Sequence, residues 1–115
     1  MKVFCLKPNE NWICDRIAGE FYNNFSDVSS KNIFDCDVVW LLAGWCWRHV
    51  PVDILRSKKI VVTSFHPGWV RTDMGGPNAT LSTKESASSL INSFERLNLE
   101  STGKFFNYDG GIMNF

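Results

Sequence analysis

Ten side chains that could bind a small molecule fall in three short segments, and each segment directly follows an apolar run. They are Asn9, Glu10, Asn11, Trp45, Trp47, Arg48, His49, His66, Arg71 and Asp73. Arginine can bind a phosphate or carboxylate through two parallel hydrogen bonds. With aromatic rings and histidines nearby, this set favours an anionic or sugar-like ligand. We take Asn9, Asn11, Trp45, His66 and Arg71 as the candidate residues that line its crevice.

Each candidate also has an interpretation without a ligand. His66 precedes Pro67 and is compatible with a structural hydrogen-bonding role as well as with that of a base. Trp45 could pack against neighbouring chain or form a dimer surface. Arg71 could pair with Asp73 or face solvent. The spacing leaves these alternatives open, and we assign no catalytic residue.

Several kinds of catalytic site are missing from the sequence. It contains no G-x-S-x-G nucleophile turn, no phosphate-binding G-x-x-x-x-G-K-[ST] loop and no H-E-x-x-H motif. Among the cysteines, only Cys46-x-x-His49 has a ligand-like spacing, and a zinc site would need two further ligands from distant segments. We expect no metal, and we expect reduced, inert thiols at Cys5, Cys14, Cys36 and Cys46.

The apolar runs before these segments predict strands, and two amphipathic stretches predict helices. Strands are expected at Val3–Leu6, Asp37–Gly44, Ile60–Phe65 and Lys104–Tyr108, with an ambiguous edge strand near Val28 or Ile33. Helices are expected over about residues 11–25, with Asn9 or Asn11 as the cap, and 83–97, where Ser82 and Glu85 form a capping box. A short helix should follow Pro51. The tail after Tyr108 is expected to be a turn.

Strands that alternate with helices indicate an α/β fold with a parallel sheet and helices on both faces. We expect one domain over residues 1–115, with a Rossmann-like or flavodoxin-like sheet of four to five strands in the order 2-1-3-4-5. In such sheets ligands bind outside the carboxyl ends of the strands. The three candidate segments should therefore converge at that edge.

Composition limits the classes of partner. The chain has 115 residues, with 12 basic and 12 acidic side chains, so its balance disfavours general binding to nucleic acid or an anionic membrane. The apolar run near Met1 is too short for a signal peptide, and no stretch is long enough to span a bilayer. We expect a cytoplasmic protein. Five tryptophans indicate an aromatic core, an apolar surface, or both.

From about residue 61 onward, the chain resembles the end of a short-chain dehydrogenase/reductase. The similarity lies in Ser64–Ala79, in Ser82–Ser86 and in Gly103–Gly110, which fits the family's final strand. It implies that Pro67 and Gly68 shape a turn over the nicotinamide side of NADP or NAD. It also implies that the Val70 backbone meets the carboxamide and that Thr72 approaches the pyrophosphate.

The resemblance is incomplete at the cofactor turn and at the catalytic residues. The segment after the first strand contains no glycine, whereas family members use glycines to let the backbone approach the pyrophosphate. The family's Tyr-x-x-x-Lys pair is absent, since Ser26 lies four residues after Tyr22 and Ile112 four residues after Tyr108. The usual catalytic serine has no recognisable counterpart. These differences predict a domain without catalysis and with at most weak binding of the dinucleotide.

Residues 1 to about 63 are similar to the start of a two-Rossmann-domain glycosyltransferase, through Lys2–Trp12 and Cys36–Trp45. One interpretation is a chimera joined near residues 60–65, and another is a single divergent α/β family. Two functional alternatives follow. One is a remnant that binds a sugar or nucleotide sugar, and the other is a structural domain that binds no ligand and self-associates. On either view we expect a homodimer, because a small sheet exposes edges and apolar surface.

Overall fold

The computed structural model describes residues 1–11 and 13–114. Their strands are β1 (Val3–Leu6), β2 (Val38–Leu41), β3 (Val61–His66), β4 (Phe105–Asn107) and β5 (Ile112–Met113). Their α-helices are α1 (Ile13–Asn24), α2 (Val52–Ser57) and α3 (Thr83–Phe94), and two 3₁₀ helices span Gly44–His49 and Leu99–Ser101. The predicted alternation of strands and helices is confirmed.

The sheet has the predicted parallel core. β1 to β4 lie side by side in chain order and run parallel. The ambiguous edge strand is reduced to a single parallel bridge between Ser29 and Val3. The Val3 amide donates to Val28 and its carbonyl accepts from Ser30, both at 2.8 Å, so this bridge lies on the side of β1 away from β2. This bridge lies where the predicted order 2-1-3-4-5 has its outermost strand, but it is not a strand, and the strands of the sheet follow the order β1-β2-β3-β4-β5.

The tail forms a strand that we did not predict. β5 pairs antiparallel with β4, and the Asn107 amide donates to the Gly111 carbonyl at 2.7 Å. Gly110 has φ +90°, a left-handed conformation that glycine adopts without steric cost. This turn joins the two strands of the hairpin. The second strand has only two residues, which is too few to show a periodic pattern in the sequence.

The main core lies between the sheet and the pair α1 and α3. Trp40 on β2 is its centre, with ring centroids 5.8 Å from Phe21 on α1 and 5.2 Å from Phe94 on α3. Both helices end earlier than predicted. After Phe94 the backbone turns through tighter hydrogen bonds, from Arg96 to Ser93 and from Leu97 to Phe94, both at 3.2 Å.

The opposite face of the sheet is covered less completely. The short helix α2 buries Leu55 against Val39 and Ile60. Side chains further along the same face, such as Phe4 and Val62, are only partly buried. Helices therefore lie on both faces, as predicted, but unequally.

Beyond this bridge, the Tyr22 side chain bonds to the outer edge of β1. The Tyr22 hydroxyl accepts from the Cys5 amide at 3.0 Å and donates to the Cys5 carbonyl at 3.4 Å. Both groups would otherwise pair with a neighbouring strand. Tyr22 thus satisfies and blocks an edge that could template pairing with another chain.

We predict that Tyr22→Phe lowers the free energy of unfolding by about 1–2 kcal/mol, because the Cys5 amide and carbonyl lose their partner. Urea unfolding followed by fluorescence measures this loss. Tyr108→Phe is the matched control, since its ring packs beside Gly68, away from this edge. Equal losses in the two variants would contradict the role assigned to Tyr22.

Candidate functional site

The three candidate segments follow the carboxyl ends of β1, β2 and β3, which are parallel and adjacent. They are the β1–α1 turn at residues 7–11, the 3₁₀ helix Gly44–His49 and the turn at residues 66–76, and we call this side of the sheet the carboxyl edge. The topology therefore puts the three segments on one side of the sheet, and their convergence around a ligand stays a prediction.

Close packing fixes the start of the 66–76 turn. Gly68 has φ +85°, and a Cβ there would lie 2.5 Å from Leu81 and 2.8 Å from the Tyr108 ring. The Ser86 hydroxyl on α3 donates to the Pro67 carbonyl at 2.6 Å. His66 accepts the Gly68 amide on its Nδ1 at 3.1 Å. Its imidazole therefore has the structural role that the sequence left open.

Val70 lies at the centre of an isolated parallel bridge to Leu81. The Leu81 amide donates to the Trp69 carbonyl at 3.0 Å, and the Arg71 amide donates to the Leu81 carbonyl at 2.7 Å. Because the peptide groups of an extended chain alternate in direction, the amide and carbonyl of Val70 itself point away from Leu81. The Val70 carbonyl accepts from the Thr72 hydroxyl, so it faces the Thr72–Gly75 side of the turn.

Thr72 and Gly75 close that side. The Thr72 hydroxyl accepts the Gly75 amide at 3.1 Å and donates to the Val70 carbonyl at 3.4 Å. A Cβ on Gly75 would lie 1.8 Å from the Val70 carbonyl oxygen, so no larger residue fits without moving the backbone. The Trp69 indole also donates to the Gly75 carbonyl at 2.8 Å. The turn is thus a closed, internally bonded structure.

Arg71 points toward α3 and holds the turn in place. Its guanidinium donates to the Ala79 carbonyl at 3.0 Å and lies 3.7 Å from the Glu85 carboxylate. Glu85 completes the predicted capping box, accepting the Ser82 amide at 2.7 Å. The Ser82 amide and hydroxyl, with a smaller contribution from Arg71, lower the pKa of Glu85. The guanidinium is engaged by these groups, and neither of its partners is Asp73.

The β1–α1 turn is built differently from a glycine-rich turn. Asn9 and Asn11 are exposed and take left-handed backbone conformations, with φ 58° and 53°. This is not the extended backbone of a helix cap, which we had expected of one of them. The residue before α1, Trp12, lies outside the described residues. Asparagine tolerates the left-handed region, so these two residues supply the bend that glycines usually supply.

An aspartate in the first turn of α1 contacts this turn. The Asp15 carboxylate accepts the Glu10 amide at 3.1 Å and lies 3.3 Å from the Lys7 ammonium. A cavity of about 390 Å³ opens beside it, lined by Lys7, Asn9, Asn11, Asp15 and Arg16. All these residues belong to the β1–α1 segment. Trp45, His66 and Arg71 therefore do not line this cavity with Asn9 and Asn11.

The 3₁₀ helix Gly44–His49 presents aromatic surface at the carboxyl edge. Trp45 and Trp47 are exposed, as are Arg48 and His49, while Cys46 beneath them is buried.

No group of three or more His, Cys, Asp or Glu side chains that could hold a metal occurs in residues 1–11 and 13–114. Within the same residues no helix is long and apolar enough to cross a membrane.

Sequence reasoning missed Asp15, Gly75 and Ser86. Gly75 and Ser86 lie inside the segments that carry the family resemblance. The resemblance identifies those segments but does not predict the contacts that Gly75 and Ser86 make. Asp15 gives no sequence signal, because its role depends on the approach of Lys7 and Glu10 across the turn.

The four cysteines are free thiols, and burial raises their pKa values. For Cys36 the rise is to about 11. Burial raises the pKa of Cys5 well above the usual range of a thiol, and the nearby Cys14 and Cys46 thiols raise it further. A thiol with a raised pKa is a poor nucleophile at neutral pH, which supports inert cysteines.

Comparison with known proteins places the similarity among reductases. The chain is 46% identical over 56 residues to the C-signal protein of Myxococcus xanthus, covering 49% of this chain and 34% of that protein. It is 69% identical over 29 residues to rabbit (Oryctolagus cuniculus) carbonyl reductase (NADPH) 1, covering 25% of this chain and 10% of the reductase. The carbonyl reductase Sniffer of D. melanogaster matches with a TM-score of 0.51 and 39% identity, covering 56% of this chain and 25% of that one.

The chain is similar to carbonyl reductases. This similarity supports the short-chain dehydrogenase/reductase resemblance and the Rossmann-like fold. No protein-family model matches the chain. The chain spans between a tenth and about a third of the length of these relatives. The glycosyltransferase resemblance of the first half and the chimera gain no support from the comparisons.

We predict that alkaline pH removes stability that depends on the Cys5 thiol. Its folded pKa is raised, so the stabilisation is complete below the unfolded pKa near 8.5 and is lost as pH rises above it. The difference in unfolding free energy between the unsubstituted chain and Cys5→Ala should therefore shrink between pH 8 and pH 10. Urea titrations at both pH values measure it. A difference that stays constant would mean that Cys5 ionises in the folded protein at its ordinary pKa.

Proposed function

We propose that the chain is an incomplete short-chain-reductase-like α/β domain that binds NADP or NAD weakly through the nicotinamide end and does not catalyse. The observation that carries the proposal is the closed 66–76 turn, which presents the backbone of Val70 at the carboxyl edge. The similarity to carbonyl reductases supports the choice of ligand.

The residues of the turn suit a nicotinamide group. Pro67 and Gly68 set the bend, and the Val70 amide, which points away from Leu81, is the group that the resemblance pairs with the carboxamide. Thr72 lies beyond Val70, on the pyrophosphate side that the resemblance implies. When bound, the nicotinamide ring supplies two-electron oxidation–reduction chemistry. A turn that is already ordered costs little conformational entropy on binding.

The positions of the two tyrosines support the absence of catalysis. The chain contains only Tyr22 and Tyr108. The Tyr22 hydroxyl is bonded to the Cys5 backbone at the edge of β1, and the Tyr108 ring packs beside Gly68. Neither is followed by the lysine that tunes the family's proton donor.

We predict that NADP and NAD bind with dissociation constants of about 1 mM, equivalent to about −4 kcal/mol. Isothermal titration on the full chain measures this. Gly75→Ala should abolish the binding heat, because the new Cβ displaces the Val70 carbonyl. Gly19→Ala is the matched control: its Cβ meets no atom within 4 Å, so it should leave binding unchanged. An absence of heat with both cofactors at several millimolar would overturn the proposal, and NADPH-dependent reduction of a carbonyl substrate would overturn its non-catalytic part.

A homodimer is a second candidate role, favoured by the apolar surface at the carboxyl edge. Trp47 is 59% exposed, Trp69 53% and Met74 71%. Sedimentation equilibrium should show a dimer that Trp47→Ser weakens at least tenfold, because a central aromatic residue commonly dominates an interface. Leu99→Ser removes an exposed apolar residue elsewhere in the chain and should have no effect. A monomer at high concentration would exclude this role.

The cytoplasmic location inferred from the sequence also stays a prediction.

A further inference from the structure

The peptide unit between Pro67 and Gly68 is held by side chains on both of its sides. Its carbonyl accepts from the Ser86 hydroxyl of α3 at 2.6 Å, and its amide donates to the His66 imidazole at 3.1 Å. Because this peptide bond is trans, its carbonyl and its amide point in opposite directions. Ser86 and His66 therefore restrain one rigid plane from opposite sides.

Gly68 cannot fix this plane by its own conformational preference. A Cβ there would lie 2.5 Å from Leu81 and 2.8 Å from Tyr108, so close packing restricts the position to glycine. Glycine adopts positive and negative φ about equally readily, and the peptide unit before it can therefore rotate at little intrinsic cost. The observed φ of +85° thus depends on contacts that other residues make with this peptide unit.

The orientation of this peptide unit affects where Val70 points. Directly after Gly68 the chain enters the parallel bridge to Leu81, through hydrogen bonds of 3.0 and 2.7 Å to the residues on either side of Val70. The bridge turns the Val70 amide away from Leu81. A rotation of the Pro67–Gly68 unit changes φ at Gly68, and with it the angle at which the chain enters the bridge.

The two restraints differ in their exposure to water. Ser86 is only 4% exposed, so water competes little for its hydrogen bond to the Pro67 carbonyl. His66 is exposed, and water can replace its bond to the Gly68 amide. A buried carbonyl that loses its partner costs more than an exposed amide that does. Of the two side chains, Ser86 should therefore have the larger effect.

We infer that Ser86 and His66 are positioning residues, which hold the Pro67–Gly68 peptide unit in the orientation that presents the Val70 amide to a nicotinamide ligand. This inference rests on the proposed function for its ligand. It adds to the site a residue of α3 that acts through the backbone. It also gives His66 a role in ligand binding that requires no contact between the imidazole and the ligand.

The first test needs no ligand. Residual dipolar couplings of the backbone amides report the direction of each N–H bond, and they can be measured on the full chain. Ser86→Ala removes the hydroxyl and should change the couplings of Gly68 and Val70, while the couplings of β2 stay the same. Ser86→Thr keeps a hydroxyl and should restore the values of the unsubstituted chain.

A second pair of variants tests His66 in the same way. His66→Leu removes the acceptor and should also change the couplings of Gly68 and Val70, by less than Ser86→Ala does. His66→Asn keeps an acceptor, because an asparagine side chain can accept the amide two residues further along the chain. Its couplings should therefore match those of the unsubstituted chain. Rescue by Asn and not by Leu separates the positioning role from a general effect on packing.

The second test measures the affinity of the same variants for NADP by NMR titration, which is suited to weak binding. Ser86→Ala and His66→Leu should weaken binding by about fivefold, the scale of one hydrogen bond. Ser86→Thr and His66→Asn should stay within about twofold of the unsubstituted chain.

Ser30→Ala is the matched control. The Ser30 hydroxyl is also buried and donates to a backbone carbonyl, that of Asn32, at 3.0 Å. Its amide bonds to Val3 at the amino end of β1, so this serine lies at the opposite end of the strands from the 66–76 turn. The variant should change neither the affinity for NADP nor the couplings of Gly68 and Val70.

Unchanged couplings at Gly68 and Val70 in Ser86→Ala and in His66→Leu would overturn the inference. Changed couplings with an unchanged affinity for NADP would also overturn it, because the peptide unit would then not position the ligand. His66 is exposed, so His66→Leu should fold and decides the matter if Ser86→Ala does not fold. Failure of the proposed function is distinguishable: the unsubstituted chain then does not bind NADP, and the couplings of the free chain decide the inference alone.

Discussion

The structure depends on the burial of β2 on both of its faces. Val38, Val39 and Trp40 are 3%, 0% and 3% exposed, and they alternate between the α1–α3 side and the α2 side. A strand with this environment must be apolar at every position, and it must lie between two neighbours that satisfy its backbone. β1 and β3 fill those places in parallel register. The central position of β2 therefore determines where the other elements can pack.

Trp40 shows that burying the apolar side chains of β2 outweighs the cost of an unpaired polar atom. Its indole nitrogen is buried, and no hydrogen-bond partner for it occurs within residues 1–11 and 13–114. An unsatisfied buried donor costs about 1–3 kcal/mol. The ring nevertheless packs between Phe21 and Phe94, and truncating a buried aromatic residue typically costs about 3–5 kcal/mol. The aromatic contacts outweigh the lost hydrogen bond, so the core retains a polar atom that it does not satisfy.

Most of the fold is predictable from the sequence because its signals are local. The continuous apolar runs locate β1 to β4, and Ser82 with Glu85 marks the start of α3 within one turn of chain. The features that the sequence does not reveal depend on contacts between distant segments. Tyr22 in the last turn of α1 bonds to Cys5 on β1, and Arg71 bonds to Ala79 rather than to its near neighbour Asp73. Neither pairing follows from residue type or spacing.

The same distinction explains why the candidate site was only partly predictable. The stretch from His66 to Gly76 shows its family resemblance in consecutive residues, and several of its hydrogen bonds lie within that stretch. The β1–α1 turn differs from the family pattern by lacking glycines, but an absence of glycine does not say what replaces them. Only the fold shows that the bend is kept by two asparagines and that the Asp15 carboxylate contacts Lys7 and the Glu10 amide. The two parts of the carboxyl edge thus differ in how far sequence reasoning reaches: the 66–76 turn is marked by consecutive residues, whereas the β1–α1 turn depends on a contact with α1 that the sequence does not reveal.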